Sequence, residues 1–123
     1  MEEALQLGRQ ALYSVFPAAV EPYVTGRPID PEELQQAVAD TEHSNDAEQL
    51  YWDASIYALV GEHEVGLRFL REAIDRGYCS YPLMETDPLF SGLREDPAFA
   101  DGWADARVAG KACHEAFLAQ TGA

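Results

Sequence analysis

The sequence predicts an all-α protein, and three observations carry that prediction. Residues 50–77, LYWDASIYALVGEHEVGLRFLREAIDRG, read as two amphipathic helices joined at a glycine. Two Asp-Pro-x-Phe turns follow, Asp87-Pro88-Leu89-Phe90 and Asp96-Pro97-Ala98-Phe99, each a cap residue ahead of a first-turn proline. Nowhere does a run of alternating β-branched residues argue for a strand.

Leu5, Gly8, Leu12, Val15 and Phe16 recur at helical spacing, which predicts a first helix over 2–16. Pro17, Pro22, Gly26, Pro28 and Pro31 then mark 17–30 as a rigid connector with room for one helical turn over Ala18–Val20. Asp30-Pro31-Glu32-Glu33 is a start signal: a cap, a first-turn proline, and two carboxylates at the positive end of the helix dipole. Leu34, Ala37 and Val38 supply that helix's apolar stripe, which fades by Thr41. Asn45-Asp46-Ala47-Glu48 opens the next helix, which buries Leu50, Ala54, Tyr57 and Ala58 and stops at Gly61. A return helix from about His63 to Arg76 carries Gly66, Leu67, Leu70, Ala73 and Ile74 on one side and ends at Gly77. Residues 78–84 form an aromatic, proline-marked connector. In the last helix Phe99, Trp103, Ala106, Gly110, Cys113 and Phe117 fall at steps of three and four, one continuous apolar seam. Gly102 and Gly110 inside it imply close approach of another helix, since each costs about 1 kcal/mol relative to alanine.

The chain's 123 residues suffice for one domain with a real core. Eight basic against 22 acidic residues leave a net charge of −14. The excess is uneven: residues 1–67 hold 13 acids and 2 bases (−11), and 68–123 hold 9 acids and 6 bases (−3). Such a field repels phosphate backbones and anionic headgroups, which argues against direct nucleic-acid or membrane partners. The Met1-Glu2-Glu3 start is acidic where a secretory signal needs a cationic segment. Cys79 and Cys113 are too few for a disulfide framework. The expectation is a cytoplasmic protein with both thiols reduced.

Residues 50–78 resemble a tetratricopeptide repeat (TPR), a helix–turn–helix unit of about 34 residues. Ala54 and Tyr57 on the first helix, Gly61 at its end, and Gly66, Leu70 and Ala73 on the second match its packing code. The sequence departs at Leu50, where tryptophan is common, at Asp53, where leucine is expected, and at Tyr78, where a proline is typical. Gly77-Tyr78, Pro82, the two Asp-Pro-x-Phe turns and the intervening Leu93-Arg94 resemble the stretch after the last repeat in many bacterial TPR proteins. The resemblance implies antiparallel hairpins in a right-handed α-α superhelix, closed by a long C-terminal helix. It divides the single domain into a degenerate helical part (2–45), a hairpin (46–77) and a tail with capping helix (78–123).

No constellation points to chemistry. His43, His63 and His114 stand in no metal-ligand spacing with each other or with cysteine, and adjacent Cys113 and His114 point to different sides of a helix. The carboxylate pairs Glu62/Glu64 and Asp101/Asp105 lie at a turn and on a polar face, not in a cleft that would split their pKa values. Ser14, Ser55 and Ser91 lack a nucleophile elbow, and no glycine-rich phosphate loop is present. The reading is a non-enzymatic protein–protein interaction module without a cofactor. The resemblance puts the binding groove on the first helix of the repeat, at Glu48, Tyr51, Trp52, Ser55 and Leu59. Aromatic anchors in an acidic rim suit a basic or apolar peptide or protein partner. Lys, Arg and Asn, which clamp a terminal carboxylate in some members, are missing there. The alternatives are a small acidic secretion-type chaperone, a dimerising structural protein, and, from another class, a helical hydrolase using carboxylates.

Overall fold

A computed structural model describes residues 15–121. Among them every regular element is helical and no strand occurs. The expected helix over 2–16 lies outside the described residues except for Val15 and Phe16. Helix α1 comprises a wide turn, Phe16–Val20, running directly into Glu21–Thr25. The 17–30 connector is therefore a correction: the chain is helical through both prolines, and only 26–30 links it onward. The wide turn closes with the Glu21 N–H donating to the Phe16 carbonyl, five residues back. This shift in register comes just before Pro22, which has no N–H to give and here sits in the first turn of the next segment. Gly26, at φ 76°, ends α1.

Helix α2 (Pro31–Glu42) starts where Asp30 accepts a hydrogen bond from the Glu32 N–H at 2.9 Å. Helix α3 (Ala47–Leu59) is capped by Asp46, which accepts from Glu48 and Gln49. It ends in a two-bond cap: the Gly61 N–H donates to the Ala58 carbonyl and the Glu62 N–H to that of Tyr57, with Gly61 at φ 93°. Helix α4 (His63–Asp75) ends the same way at Gly77, with Gly77 donating to Ile74 and Tyr78 to Ala73.

Helices α3 and α4 form an antiparallel hairpin whose seam is the small-residue code of the sequence. A Cβ on Gly66 would stand 3.0 Å from the Ala54 carbonyl oxygen and 3.0 Å from the Ala58 nitrogen. Ala54, Tyr57, Leu70 and Ala73 are fully buried around that contact. Tyr57 meets Phe69 across the seam at 5.8 Å between ring centroids.

After Gly77, a short helix α5 (Leu83–Thr86) follows a cis Tyr81–Pro82 bond. The two Asp-Pro turns are single 3₁₀ turns, Pro88–Phe90 and Pro97–Phe99. The first feeds helix α6 (Ser91–Glu95) and the second helix α7 (Ala100–Thr121). Asp87 and Asp96 each accept from the N–H two residues on. The intervening Leu93-Arg94 has a clear task in the fold. Leu93 is fully buried, and the Arg94 guanidinium donates to the carbonyls of Met84 and Asp87 at 2.9 and 2.8 Å, clamping α5 to the first Asp-Pro turn.

Two expectations about the C-terminal helix need correction. The seam buries Trp103, Ala106 and Gly110, but it ends at half-buried Cys113, and Phe117 is 54 % exposed. Periodicity marks which residues share a face, and α7 simply outruns the body it packs against. Cys79 and Cys113 are also not free thiols. They form a disulfide across 34 residues, with Cα atoms 5.4 Å apart. Nothing in two isolated cysteines reveals pairing until α7 folds back over the connector at Tyr81 and Met84, where a Cβ on Gly110 would lie 3.3 Å from the Tyr81 Cβ and 3.1 Å from the Met84 Sδ.

Candidate functional site

Helix α3 holds both the predicted groove and the polar features the sequence did not announce. Of the five groove residues, three face outward: Glu48, Trp52 (46 % exposed) and Leu59 (38 % exposed). Trp52 and Leu59 are two helical turns apart on one stripe. The indole N–H of Trp52 points to the Glu48 carboxylate at 3.5 Å, one turn back. Tyr51 and Ser55 do not join them. Both are fully buried, and the Ser55 hydroxyl donates to the Trp52 carbonyl at 2.6 Å.

Tyr51 belongs to the core beneath the Asp-Pro turn. Its ring meets Tyr78 at 5.2 Å, Phe90 at 5.5 Å and Trp52 at 5.8 Å, and its hydroxyl donates to Asp87 Oδ2 at 2.7 Å. Burial, then the bond to Asp87, push the Tyr51 phenol far above its ordinary range, so it stays a donor. Asp87 thus caps the 3₁₀ turn with one oxygen and anchors it to the hairpin with the other. Tyr51→Phe strands that second oxygen in a nearly dry site, and urea denaturation should show a loss of about 1–2 kcal/mol.

The second polar cluster joins α2 to α3. Thr41, Asp53 and Tyr57 are all fully buried. The Thr41 Oγ1 lies 3.0 Å from the Ala37 carbonyl, 3.2 Å from Asp53 Oδ2 and 3.1 Å from the Tyr57 hydroxyl. Gln49 donates to the other Asp53 oxygen at 2.9 Å. The apolar stripe of α2 therefore does not fade at Thr41; it ends in a buried hydroxyl. Burial lifts the Asp53 carboxyl from 3.8 to about 6, against the opposing pull of its bonds from Gln49 and Thr41. The sequence signal was present, since Asp53 stands where the repeat expects leucine, and an acid on a buried face requires partners.

His63, at the start of α4, pairs through Nδ1 with Asp96 Oδ2 at 2.7 Å and lies edge-on to Phe99 at 6.0 Å. That bond, then the Ala98 N–H, hold the Asp96 carboxyl below the usual carboxylate range. The pair ties the hairpin turn to the second Asp-Pro turn. Among the described residues, no group of three or more His, Cys, Asp or Glu is placed to hold a metal ion, and no helix is long and apolar enough to cross a membrane. Asp101 and Asp105 are exposed on α7.

Fold and site together define, among the described residues, an all-α protein built on a close-packed helical hairpin that leaves Trp52 and Leu59 facing outward. No protein-family model matches the chain, and neither the curated proteins nor the solved structures yield a match.

Proposed function

We propose that this protein is a TPR-like interaction module that binds a basic or apolar segment of a protein partner along the outward stripe of α3. The observation that carries the reading is the pairing of half-exposed Trp52 and Leu59, two turns apart, beside Glu48. A large indole left open to water next to a second apolar side chain is a ready anchor for a partner. The surrounding charge favours a cationic occupant, because the half of the chain that carries this stripe holds the greater acidic excess. The small-residue seam and the paired Asp-Pro turns support the repeat reading, and a cytoplasmic regulatory setting goes with it.

Binding of fluorescein-labelled amphipathic peptides, followed by anisotropy, tests the reading. A Lys/Leu peptide should bind, and a Glu/Leu peptide of the same pattern should not. Trp52→Ala with Leu59→Ser should weaken the Lys/Leu peptide by about tenfold or more, equivalent to about 1.4 kcal/mol. Trp52 also packs edge-on against Tyr51, so the double variant should melt somewhat lower, and affinities are compared at a temperature well below both midpoints. Equal affinity of the double variant and the native protein would remove the stripe as the site.

A further inference from the structure

The disulfide joins the connector after Gly77 to the distal half of α7, beyond that helix's fully packed residues. Helix α7 is held noncovalently over its first half, through buried Trp103, Ala106 and Gly110, with the Trp103 ring tilted against Phe90 at 5.8 Å. Past Gly110 that support thins. Lys111, Ala112, Glu115, Ala116, Phe117, Ala119 and Gln120 are all exposed. The contacts made there by the described residues include the bond at Cys113, a ring contact between His114 and Tyr81 at 6.1 Å, and half-buried Leu118. The other end of the bond, Cys79, is half-buried in the connector just after Gly77, and no cysteine is left free among the described residues. A covalent tie between a connector and the distal half of a helix, with both cysteines only half-buried, suits a bond that is made and broken in the folded state.

We propose that Cys79–Cys113 is a reversible redox latch on the closing helix: a dithiol reductant opens it and frees α7 past Gly110, uncovering the connector at Tyr81. A thiolate of the reductant attacks one bridge sulfur, forming a mixed disulfide and releasing the other cysteine as a thiolate, which takes up a proton. The reductant's second thiol then displaces the mixed disulfide. The protein gains two electrons and two protons, and the reductant leaves as its own cyclic disulfide.

Amide hydrogen exchange on the full chain, oxidised and after treatment with dithiothreitol, tests this directly. Reduction should speed exchange by about tenfold or more over 111–121 and in the 78–84 connector, while α3 and α4 keep their protection. Reoxidation should restore the first pattern. Cys79→Ser/Cys113→Ser should reproduce the reduced pattern without reductant, with unchanged helical ellipticity. Three results each overturn the latch. The bond could resist millimolar dithiothreitol in the folded protein. The tail's exchange could stay unchanged on reduction. Or α3 and α4 could lose protection together with α7, which would make the bond a staple of the whole fold.

Discussion

Asp53→Asn should stabilise this protein at pH 8 and leave it nearly unchanged at pH 4. The reason is a count of protons around one hydroxyl. Thr41 has a single hydrogen and two acceptors in reach, the Ala37 carbonyl and the Asp53 carboxylate; Tyr57 can donate to it. With Asp53 ionised, its charge sits in a site closed to water with one bond from Gln49 and at most one from Thr41. The Ala37 carbonyl keeps its main-chain bond within α2 whichever way Thr41 points. With Asp53 protonated, the carboxyl and Tyr57 both donate to the Thr41 oxygen, and Thr41 donates to Ala37. Asparagine holds that arrangement at every pH, its NH₂ facing Thr41 and its oxygen accepting from Gln49. The direction follows from linkage. The folded Asp53 titrates near 6 against 3.8 in the open chain, so between those values the folded state binds more protons. Stability is fully present below about 4 and is lost as pH rises through about 6. The difference corresponds to about 3 kcal/mol at most; after imperfect replacement of the bonds, a gain of about 1–2 kcal/mol is expected at pH 8. Urea denaturation of both proteins between pH 4 and 8 checks it. Parallel pH profiles would show that Asp53 does not titrate with folding.

The hairpin was legible because its determinants are local. A cap at Asp46 and a left-handed glycine at Gly61 act within a turn of themselves, and Gly66 meets Ala54 and Ala58 across a single short hairpin. Both Asp-Pro turns were legible for the same reason. What escaped was set by contacts between distant segments. Tyr51 looked like an outward aromatic because helical spacing alone cannot say that Asp87, 36 residues on, receives its hydroxyl. Ser55, one turn on from Tyr51, is buried with it. The Cys79–Cys113 bond and the buried Thr41–Asp53 pair are of the same kind, each made where one helix returns onto a distant segment. Phe117 erred the other way: its spacing continues the seam of α7, but the body that would bury it ends earlier. The surviving part of the predicted groove, Glu48, Trp52 and Leu59, is the part that needed no distant contact to stay at the surface.

Gly66→Ala should be the most damaging single methyl in the protein, and Gly102→Ala should be mild, though Gly102 has the closer neighbour. A Cβ at Gly102 would come within 2.5 Å of a methyl of Leu67, the flexible end of a half-buried side chain that can rotate away. Alanine's better helix propensity, worth about 1 kcal/mol, offsets most of that adjustment. A Cβ at Gly66 meets only main chain: the Ala54 oxygen at 3.0 Å, the Ala58 nitrogen at 3.0 Å and the Ala58 Cα at 3.2 Å. Backbone in the middle of a hydrogen-bonded helix cannot step aside alone, so α4 must back away from α3 along its length and loosen Tyr57, Phe69, Leu70 and Ala73 together. Overpacking of that kind costs about 1–3 kcal/mol beyond the propensity gain, and a larger residue such as leucine should prevent the hairpin from closing. Urea denaturation should therefore place Gly66→Ala about 2 kcal/mol below the native protein and Gly102→Ala within about 1 kcal/mol of it. Equal losses at the two positions would mean that the helices do not meet backbone to backbone at Gly66, and the hairpin seam would have to be redrawn.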